Sequence, residues 1–597
     1  MKSLIGKCAS FVVPPLGGIR SVQAFRLQAE LQTDLFLPVR RQTRFWVGAA
    51  SLRLRRLHGL FLLAAALAGL APASAQPPAR TSAAVPDIGS RRELFVDDFM
   101  IERLTGKAEL RLHHPTPREV VFVCDAPWEG SGSGYHNIFK DGNIYRMYYK
   151  GVQVDPVKET DPNKHSGYLK AVPLCYAESD DGIHWRRPSL GLNEFNGSKD
   201  NNIVLLGGPM EGVDVDTGAA AVFKDENPAA PADARYKAVT HSRNPKKGLV
   251  VLKSADGLHW SLLSHDAVIS DGAFDSQNLG FWDGVRGEYR AYWRFFSKGT
   301  VESPYTGVRS IRTATSKDFI HWENQADLKF EDSPREHLYT NQVKPYPRAP
   351  HILIGIPTRY VERELKDGVL DDARAPAGPE KTRLWSASLR ALPELKEREL
   401  RSGASERYGA AITEGALMAS RDGVNFKRWN DAFIPPGIER DGTWNYGQNF
   451  MAWYMVETKS ADAGAPNELS FYGIESMWTG NSNELRRYTL RLDGFVSAQA
   501  PRTGGELLTK PFRFRGNRLT LNFATSAVGA VQVEIQSEDG QPLPGFTLDD
   551  CEQTFGDTVE RPVTWKKGTD VRALAGKVVR LRFVLKDADL YAFQFKD

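Results

Sequence analysis

The chain has 597 residues, a formal net charge of +4, 41% hydrophobic residues and 25% charged residues. This length exceeds that of a single typical domain, and the composition is that of a soluble globular protein. The basic residues are dispersed along the sequence, so the charge pattern gives no indication of a nucleic-acid-binding protein.

The N-terminal region contains a predicted export signal. The apolar run LFLLAAALAGLA (60–71) is too short for an ordinary membrane span. It lies between the basic stretch RLRRLHG (53–59) and PASAQ (72–76), a combination that favours a secretory signal cleaved after Ala75. We therefore expect 1–75 to be an N-terminal extension plus signal and the mature chain to be secreted or periplasmic, with no stable membrane span. A retained signal-anchor is the alternative.

A short motif recurs along the mature chain, and an internal repeat predicts a repeated architecture. The motif is Ser-x-Asp-Gly-x-x-Trp, and its four copies are Ser179, Asp181, Gly182 and Trp185; Ser254, Asp256, Gly257 and Trp260; Ser316, Asp318 and Trp322, with Phe319 replacing the glycine; and Ser420, Asp422, Gly423 and Phe426. An Asp that accepts backbone hydrogen bonds and a Gly at positive φ are typical of a tight turn. The motif is therefore predicted to be structural rather than catalytic.

Runs rich in Val, Ile, Tyr, Phe and Trp accompany each copy and predict β-strands. The runs lie at 135–142 and 144–151, 218–226 and 236–242, 278–284 and 289–296, 341–347 and 351–360, and 448–457, 468–476 and 485–495. No segment after the leader shows sustained helical periodicity. These five units predict an all-β fold in which a five-bladed β-propeller spans 90–497.

The sequence changes character near residue 500. A linker-like stretch at 500–511 precedes alternating apolar and polar runs at 518–525, 530–546 and 578–595. Alternation of this kind predicts sheets with one buried face. We therefore predict a C-terminal β-sandwich at 503–597.

A secreted five-bladed propeller followed by a β-sandwich resembles the invertase, fructanase and levanase enzymes of glycoside hydrolase family 32. It resembles the arabinanases and xylosidases of family 43 more weakly. In these families, carboxylates from the inner strands of the first three blades meet in an axial funnel, and paired carboxylates are what glycoside hydrolysis requires. The resemblance implies a secreted glycoside hydrolase that acts on a poly- or oligosaccharide. It implies no cofactor and no metal.

Strand-to-strand matching with the resembling families implies Asp275 as the principal catalytic residue, with Glu129 and Asp216 as its partners. The match has departures, because Ser133 falls where those families carry an aspartate and the Arg and Pro around the second acid are missing. Each acid also has a structural alternative: a solvated loop acid for Glu129, a turn cap for Asp216, and a strand-edge side chain for Asp275.

The remaining predicted site residues are types that contact sugars, because amides bond hydroxyl pairs and an indole stacks on a pyranose face. They are His136, Asn137, Gln277, Arg294, Glu336, Asn341, Arg359, Trp444, Gln448, Asn449 and Glu475. If Arg294 and Arg359 reach the funnel, they are suited to bind a carboxylate or sulfate through paired hydrogen bonds. Otherwise they pair with acids at the rim.

Two other functions fit the same pattern. One is a non-catalytic carbohydrate-binding propeller, in which aromatic and amide side chains line the funnel without paired acids. The other is a sialidase-like enzyme, because the repeated motif resembles the Asp-box, but sialidases require six blades and three arginines on one anion. Cys124, Cys175 and Cys551 show neither a disulfide framework nor a CxxC metal spacing.

Overall fold

The computed structural model describes residues 85–153, 172–245, 247–300, 303–363, 385–402 and 406–597. The predicted leader lies outside the described residues. Residues Ser82–Asp597 form one compact unit. Within the described ranges, helix is confined to Ala387–Ala391, Leu395–Ser402 and Glu406–Ala410, with single 3-10 turns at Ala232–Ala234 and Arg572–Leu574. None of these described helices has the length and apolar character needed to cross a membrane.

Five largely antiparallel sheets follow one another along the chain, which confirms the predicted propeller and differs from the six blades of a sialidase. Blade 1 contains Gly134–Asp141, Ile144–Lys150, Leu174–Ser179, Trp185–Arg186 and Ile203–Leu205. Blade 2 contains Gly208–Met210, Val213–Lys224, Tyr236–Ser242, Gly248–Ser254 and Ser261–Leu262. Blade 3 contains Leu279–Asp283, Glu288–Phe296, Arg309–Ser316 and Trp322–Asp327.

Blades 4 and 5 complete the ring. Blade 4 contains Lys329–Phe330, His337–Leu338, Lys344–Tyr346, Ala349–Gly355, Thr358–Glu362, Ala411–Ser420 and Asn425–Ile434. Blade 5 contains Val456–Thr458, Glu468–Glu475, Glu484–Arg491 and, as its outermost strand, Thr116–Val123. In this last pairing Val123 lies opposite Glu484 and Thr116 opposite Thr489. A strand from the start of the described chain therefore closes the ring.

The middle strands of the blades are buried on both faces, because each blade packs between two others. Tyr236–Ser242 and Glu468–Glu475 are buried at every position. Aromatic side chains from different blades interlock in these layers, as Phe223 does with Phe319, whose ring centroids are 5.4 Å apart. The aromatic, β-branched sequence runs are what such strands need.

The repeated motif forms the predicted tight turn, and the geometry confirms its structural interpretation. In the first copy, Asp181 Oδ1 accepts hydrogen bonds from the backbone N–H groups of Ile183 and His184, both at 2.8 Å. Ser179 Oγ accepts the N–H of Gly182 at 2.9 Å, and Gly182 has a φ of +78°. The same bonds recur in the other copies, and Phe319 takes the glycine position with a φ of +70°.

The C-terminal strands form a second β structure built on two long, bent strands. Arg518–Ser537 and Val579–Lys596 pair along their lengths, with a break between Thr525 and Ala530 that lets them fold back on themselves. Apolar side chains from both halves, including Phe523, Phe583 and Phe593, fill the space between them. This arrangement is the predicted β-sandwich.

Strands from before the propeller also belong to the sandwich. The eight-stranded sheet consists of Arg92–Leu94, Ile101–Gly106, Glu109–Leu112, Val496–Ala500, Gly505–Thr509, Arg518–Ser537, Asp557–Pro562 and Val579–Lys596, and a separate pair joins Asp87–Gly89 to Arg513–Phe514. The described chain thus starts on the sandwich, enters the ring at Thr116 and returns to the sandwich at Val496. The domain boundaries 90–497 and 503–597 remain predictions.

Candidate functional site

A network of buried amide side chains joins all five blades where their innermost strands meet. Asn137 of blade 1 donates to the Ala220 carbonyl of blade 2 at 3.1 Å and accepts from Gln277 Nε2, at the start of blade 3, at 3.0 Å. Gln342, which leads into blade 4, donates to Gln277 Oε1 at 2.8 Å and to the carbonyl of Met451, which leads into blade 5, at 2.6 Å. We call this network the axial hub.

The other amides that were predicted to contact sugar are also used inside the protein. Asn341 donates to a backbone carbonyl at 3.5 Å, and Gln448 donates to that of Pro436 at 2.8 Å. Asn449 donates to the carbonyls of residues 434 and 435 and accepts from Tyr488 Oη at 3.0 Å. All three side chains are fully or almost fully buried. Asn137, Gln277 and these three amides therefore have protein partners in place of a ligand.

Residues one to four positions before the hub positions lie near one another at one end of the ring, because the innermost strands run in the same direction. They are Tyr135, Asp216, Asp275, Tyr339 and Phe450. We call this group, together with the neighbouring side chains of Lys150, His241, Arg294 and Arg309, the axial site. It contains two of the three acids that were predicted to be catalytic.

Asp216 lies beside one buried histidine of the axial site, and Asp275 lies near enough to act on its charge. His241 Nε2 lies 3.7 Å from Asp216 Oδ2, and both carboxylates are close enough to act on the charge of the imidazole. Asp216 also accepts from the Gly218 N–H at 2.8 Å and from Arg243 at 3.0 Å. Burial lowers the pKa of His241 below its ordinary value although Asp216 opposes this shift. The ring is therefore neutral near pH 7.

Asp275 is held by a buried arginine. Arg294 donates to Asp275 Oδ1, and the arginine side chain is 3% exposed, whereas that of the aspartate is 55% exposed. The backbone N–H of Arg294 donates to Asn278 Oδ1 at 3.0 Å, which fixes the start of this part of the strand. The ion pair presents Asp275 to the open end of the ring in a defined orientation. The sequence analysis left open whether Arg294 reaches the funnel or pairs with an acid, and the structure pairs it with Asp275.

Aromatic rings form the floor of the axial site. Tyr339 stacks on Phe450 with centroids 4.8 Å apart, and Tyr135 stacks on the same ring at 6.3 Å. The Arg294 guanidinium lies 4.9 Å from the centroid of Tyr339. Tyr135 has a φ of +52°, a left-handed conformation that costs a non-glycine residue about 1–3 kcal/mol and is common at functional sites. Such rings suit the apolar faces of a sugar.

Glu129 lies away from this group, in a buried cluster of blade 1. Arg187 donates to both of its carboxylate oxygens, at 2.9 and 2.8 Å, and Tyr149 Oη and the Ala126 N–H donate to the same group. The Glu129 side chain is 0% exposed. No oxygen is left for a substrate, so the arrangement indicates a structural acid.

Arg359 and Glu336 pair with each other and with charged neighbours within blade 4, the rim alternative of the sequence analysis. Arg359 Nη2 lies 2.6 Å from Glu414 Oε1, and its Nη1 lies 3.5 Å from Glu336. Glu336 also pairs with Arg428 at 3.1 Å. Of the two arginines considered for an anion, only Arg294 belongs to the axial site.

The last three residues that were predicted to contact sugar, His136, Glu475 and Trp444, lie apart from one another. His136 stacks on Tyr149 at 5.4 Å, and burial lowers its pKa to about 3. Glu475 is buried and paired with Arg440 and Arg486. Half-buried Trp444 donates through Nε1 to a backbone carbonyl at 2.8 Å. Glu475 and Trp444 thus have polar protein partners, whereas neither ring nitrogen of His136 has a hydrogen-bond partner in the described chain.

Sequence reasoning missed His241, Lys150 and Arg309. His241 lies in the strand run YKAVTHS, and a histidine within a strand that is otherwise predicted to be buried could have indicated a site residue. Lys150 ends the aromatic run IYRMYYK in the same way. Arg309 had no signal, because it begins an unremarkable strand.

A cavity and the question of a metal site concern other parts of the described chain. A cavity of about 430 Å³ is bordered by Arg111, His113, His114, Arg118, Glu468 and Arg491, away from the axial site. Within the described ranges, no group of three or more His, Cys, Asp or Glu side chains is placed to hold a metal ion.

No protein family model and no curated protein matches the chain. Among solved structures it is similar to an N-acetylgalactosamine deacetylase from F. plautii in complex with blood group B trisaccharide, with 13% identity over 64% of this chain and 94% of that one and a TM-score of 0.36. It is also similar to a thermostable family-43 glycoside hydrolase, with 10% identity over 63% of this chain and 96% of that one and a TM-score of 0.35. A third similar structure is a Bombyx mori GH32 β-fructofuranosidase, with 10% identity over 81% of this chain and 94% of that one and a TM-score of 0.31. Families 43 and 32, which the sequence resembles, are thus both among its structural neighbours.

Proposed function

We propose that this chain is an exported glycoside hydrolase whose reacting groups are Asp216, His241 and Asp275. The observation that carries the proposal is a buried imidazole 3.7 Å from the Asp216 carboxylate of blade 2, with the Asp275 carboxylate at the start of blade 3 near enough to act on its charge. Glycosidic hydrolysis needs one group that protonates the leaving oxygen and a second that attacks the anomeric carbon or activates water. Two neighbouring blades supply both kinds of group here.

Asp275 is proposed as the carboxylate that acts at the anomeric carbon. Its ion pair with Arg294 fixes one oxygen while more than half of the side-chain surface stays open. Arg294 is itself immobilised by burial and by the stacking on Tyr339. A reacting group that is held by a rigid, buried partner meets the need for preorganisation.

Asp216 and His241 are proposed as the proton-donating pair. His241 Nδ1 is buried and has no hydrogen-bond partner in the described chain, while Nε2 faces Asp216. The pair reacts in the form that has taken up one proton from water, and the glycosidic oxygen takes this proton as its bond to the anomeric carbon breaks. Water supplies the new oxygen on that carbon and loses its proton to Asp275. The catalytic groups are regenerated once the proton returns to the pair.

The test is the release of reducing ends from a panel of polysaccharides by the mature chain and its variants. Asp275→Asn and Asp216→Asn are expected to lower kcat by at least about 100-fold, the usual effect of removing a general acid or base. Asp233→Asn is the matched control, because Asp233 is an exposed, ion-paired aspartate of blade 2 that lies outside the axial site. Full activity of Asp275→Asn contradicts the proposal.

A non-catalytic carbohydrate-binding propeller is the second candidate. The observation that favours it is the Asp275–Arg294 ion pair, since Arg294 already occupies one oxygen of the proposed catalytic carboxylate. Calorimetry on the same panel separates the candidates. Binding of a sugar without release of reducing ends, by a wild-type chain that is folded, supports the binding protein.

Export is part of the proposal and rests on the leader predicted at 53–76. Expression of the whole chain in a bacterial host followed by N-terminal sequencing of the exported protein tests it. A mature chain that begins at Gln76 supports cleavage after Ala75. A protein retained in the cytoplasm with an intact N-terminus contradicts export.

A further inference from the structure

The axial site carries more positive charge than its own carboxylates neutralise. Lys150, Arg294 and Arg309 bring three cations to the rings of Tyr135 and Tyr339. Of these, Arg294 has an ion pair, with Asp275. Buried charges in proteins are normally paired, because removing an ion from water is costly. The two other cations therefore call for an explanation.

Lys150 places its ammonium over an aromatic ring instead of a carboxylate. Its Nζ lies 4.8 Å from the centroid of Tyr135. Asp216 acts on this charge only at long range, and burial lowers the lysine pKa below its ordinary value. Among the described residues, no carboxylate lies within ion-pair distance of Nζ. The lysine is half-buried, and a cation–π contact offsets only part of the cost of removing its ammonium from water.

Arg309 has the same kind of environment. It is 3% exposed, and its guanidinium lies 4.3 Å from the centroid of Tyr360 and 5.5 Å from that of Tyr339. Its one polar side-chain partner in the described chain is His337 Nδ1, at 3.2 Å. Its Nε is buried without a partner. A guanidinium that keeps free donors beside a sugar-sized aromatic floor is suited to an oxyanion.

We propose that the substrate is an acidic sugar, and that its carboxylate or sulfate group is bound by Lys150 and Arg309 at the axial site. This inference rests on the proposed function, because it names the substrate class of the same site. Asp275 and Asp216 act on the glycosidic bond, and the two cations select the charged sugar. Arg294 is occupied by Asp275 and serves to position that acid.

The experiment measures affinity by calorimetry and turnover by reducing-end release, with the mature chain. The probes are oligosaccharides of polygalacturonate, alginate and glucuronoxylan for carboxylates, of carrageenan for sulfate, and of arabinan, xylan and galactan as neutral sugars. Carboxyl-reduced versions of the uronate oligosaccharides provide a matched neutral control. Tight binding of uronates but not of carrageenan identifies the anion as a carboxylate, and the reverse identifies a sulfate.

We expect Lys150→Met and Arg309→Met each to weaken binding of the acidic probe at least tenfold and to raise KM more than they lower kcat. Lys253→Met is the control, because Lys253 forms a surface ion pair on blade 2. Raising the salt concentration provides a second measurement on the wild-type chain, which does not depend on the folding of a variant. It should weaken binding of the acidic probe and leave neutral sugars unaffected.

Failure of this inference and failure of the proposed function give different results. Turnover of neutral sugars that depends on Asp275, with affinity unchanged in Lys150→Met, overturns the acidic substrate and keeps the hydrolase. Binding of acidic sugars that depends on Lys150 and Arg309, without turnover, keeps the acidic ligand and overturns the hydrolase. Absence of binding to every probe overturns both.

Discussion

Substitution of Asn137 by alanine removes the centre of the axial hub. The amide makes five hydrogen bonds of 3.0–3.2 Å, to the carbonyls of Tyr135, Tyr148 and Ala220, from the N–H of Val222, and from Gln277. Every partner is buried, and a buried polar group left unsatisfied costs about 1–3 kcal/mol. Gln277 keeps its hydrogen bond to the Tyr135 carbonyl, so fewer than five buried groups lose all their hydrogen-bond partners. We expect the free energy of unfolding to fall by about 3–5 kcal/mol.

Urea unfolding of the mature chain, followed by tryptophan fluorescence and by circular dichroism, measures this loss. Asn467→Ala is the control, because its exposed amide makes one hydrogen bond, to Glu457, and it should change stability by less than about 0.5 kcal/mol. The same variants are titrated with sugar. A destabilisation below about 1 kcal/mol together with a loss of sugar binding would refute the hub and restore Asn137 as a ligand-contacting residue.

Two further predictions concern the turns and the buried histidines. Asp256→Ala should lower the free energy of unfolding by about 1–3 kcal/mol, because the backbone N–H groups of residues 258 and 259 lose their acceptor, and sugar affinity should stay unchanged; selective loss of affinity argues against a structural turn. His136 and His337 have pKa values lowered to about 3, so below pH 6.5 the unfolded chain takes up protons that the folded chain does not. Stability should therefore fall from pH 6.5 to pH 5, with a slope that rises to about 1.4 kcal/mol per pH unit for each histidine as the unfolded ring becomes fully protonated. His136→Phe, which keeps a ring on Tyr149, should remove about that much of the slope in urea titrations, and an unchanged slope contradicts the shift.

The strands and turns were predictable because their signals are local. Runs such as YRAYWRFF carry the aromatic and β-branched residues that doubly buried strands need, and Ser-x-Asp-Gly needs only its own backbone to form a turn. Closure of the ring by Thr116–Val123 had no such signal, because its partner Glu484–Arg491 lies more than 300 residues later in the chain. Pairing over that distance leaves no pattern in either segment.

The site was harder to predict because the same residue types serve two purposes. Asn137 and Gln277 have the chemistry that binds sugar hydroxyls, and the fold uses it to join blades. Glu129 lies in the loop that leads into the first strand of blade 1, where an acid was expected, but Arg187, 58 residues away in sequence, binds both of its oxygens. Asp216 and Asp275 were predicted from strand order, because the innermost strands of neighbouring blades run side by side toward the axis. His241 joins them from a second strand, whose register the sequence does not fix.

The closing strand of blade 5 also sets an order of events during synthesis of the chain. Thr116–Val123 is made early, but its partner Glu484–Arg491 is made only after the other four blades. Two earlier strands stay unpaired for longer. Arg92–Leu94 pairs with Val579–Lys596, and Ile101–Gly106 pairs with Gly505–Thr509. A chain that leaves the ribosome or a translocation channel N-terminus first therefore carries unpaired strands until nearly its last residue is released. Non-local pairing of this kind folds slowly and exposes strand edges to aggregation. A truncation that removes only the last strand is thus expected to leave Arg92–Leu94 without a partner, although this strand lies at the opposite end of the sequence.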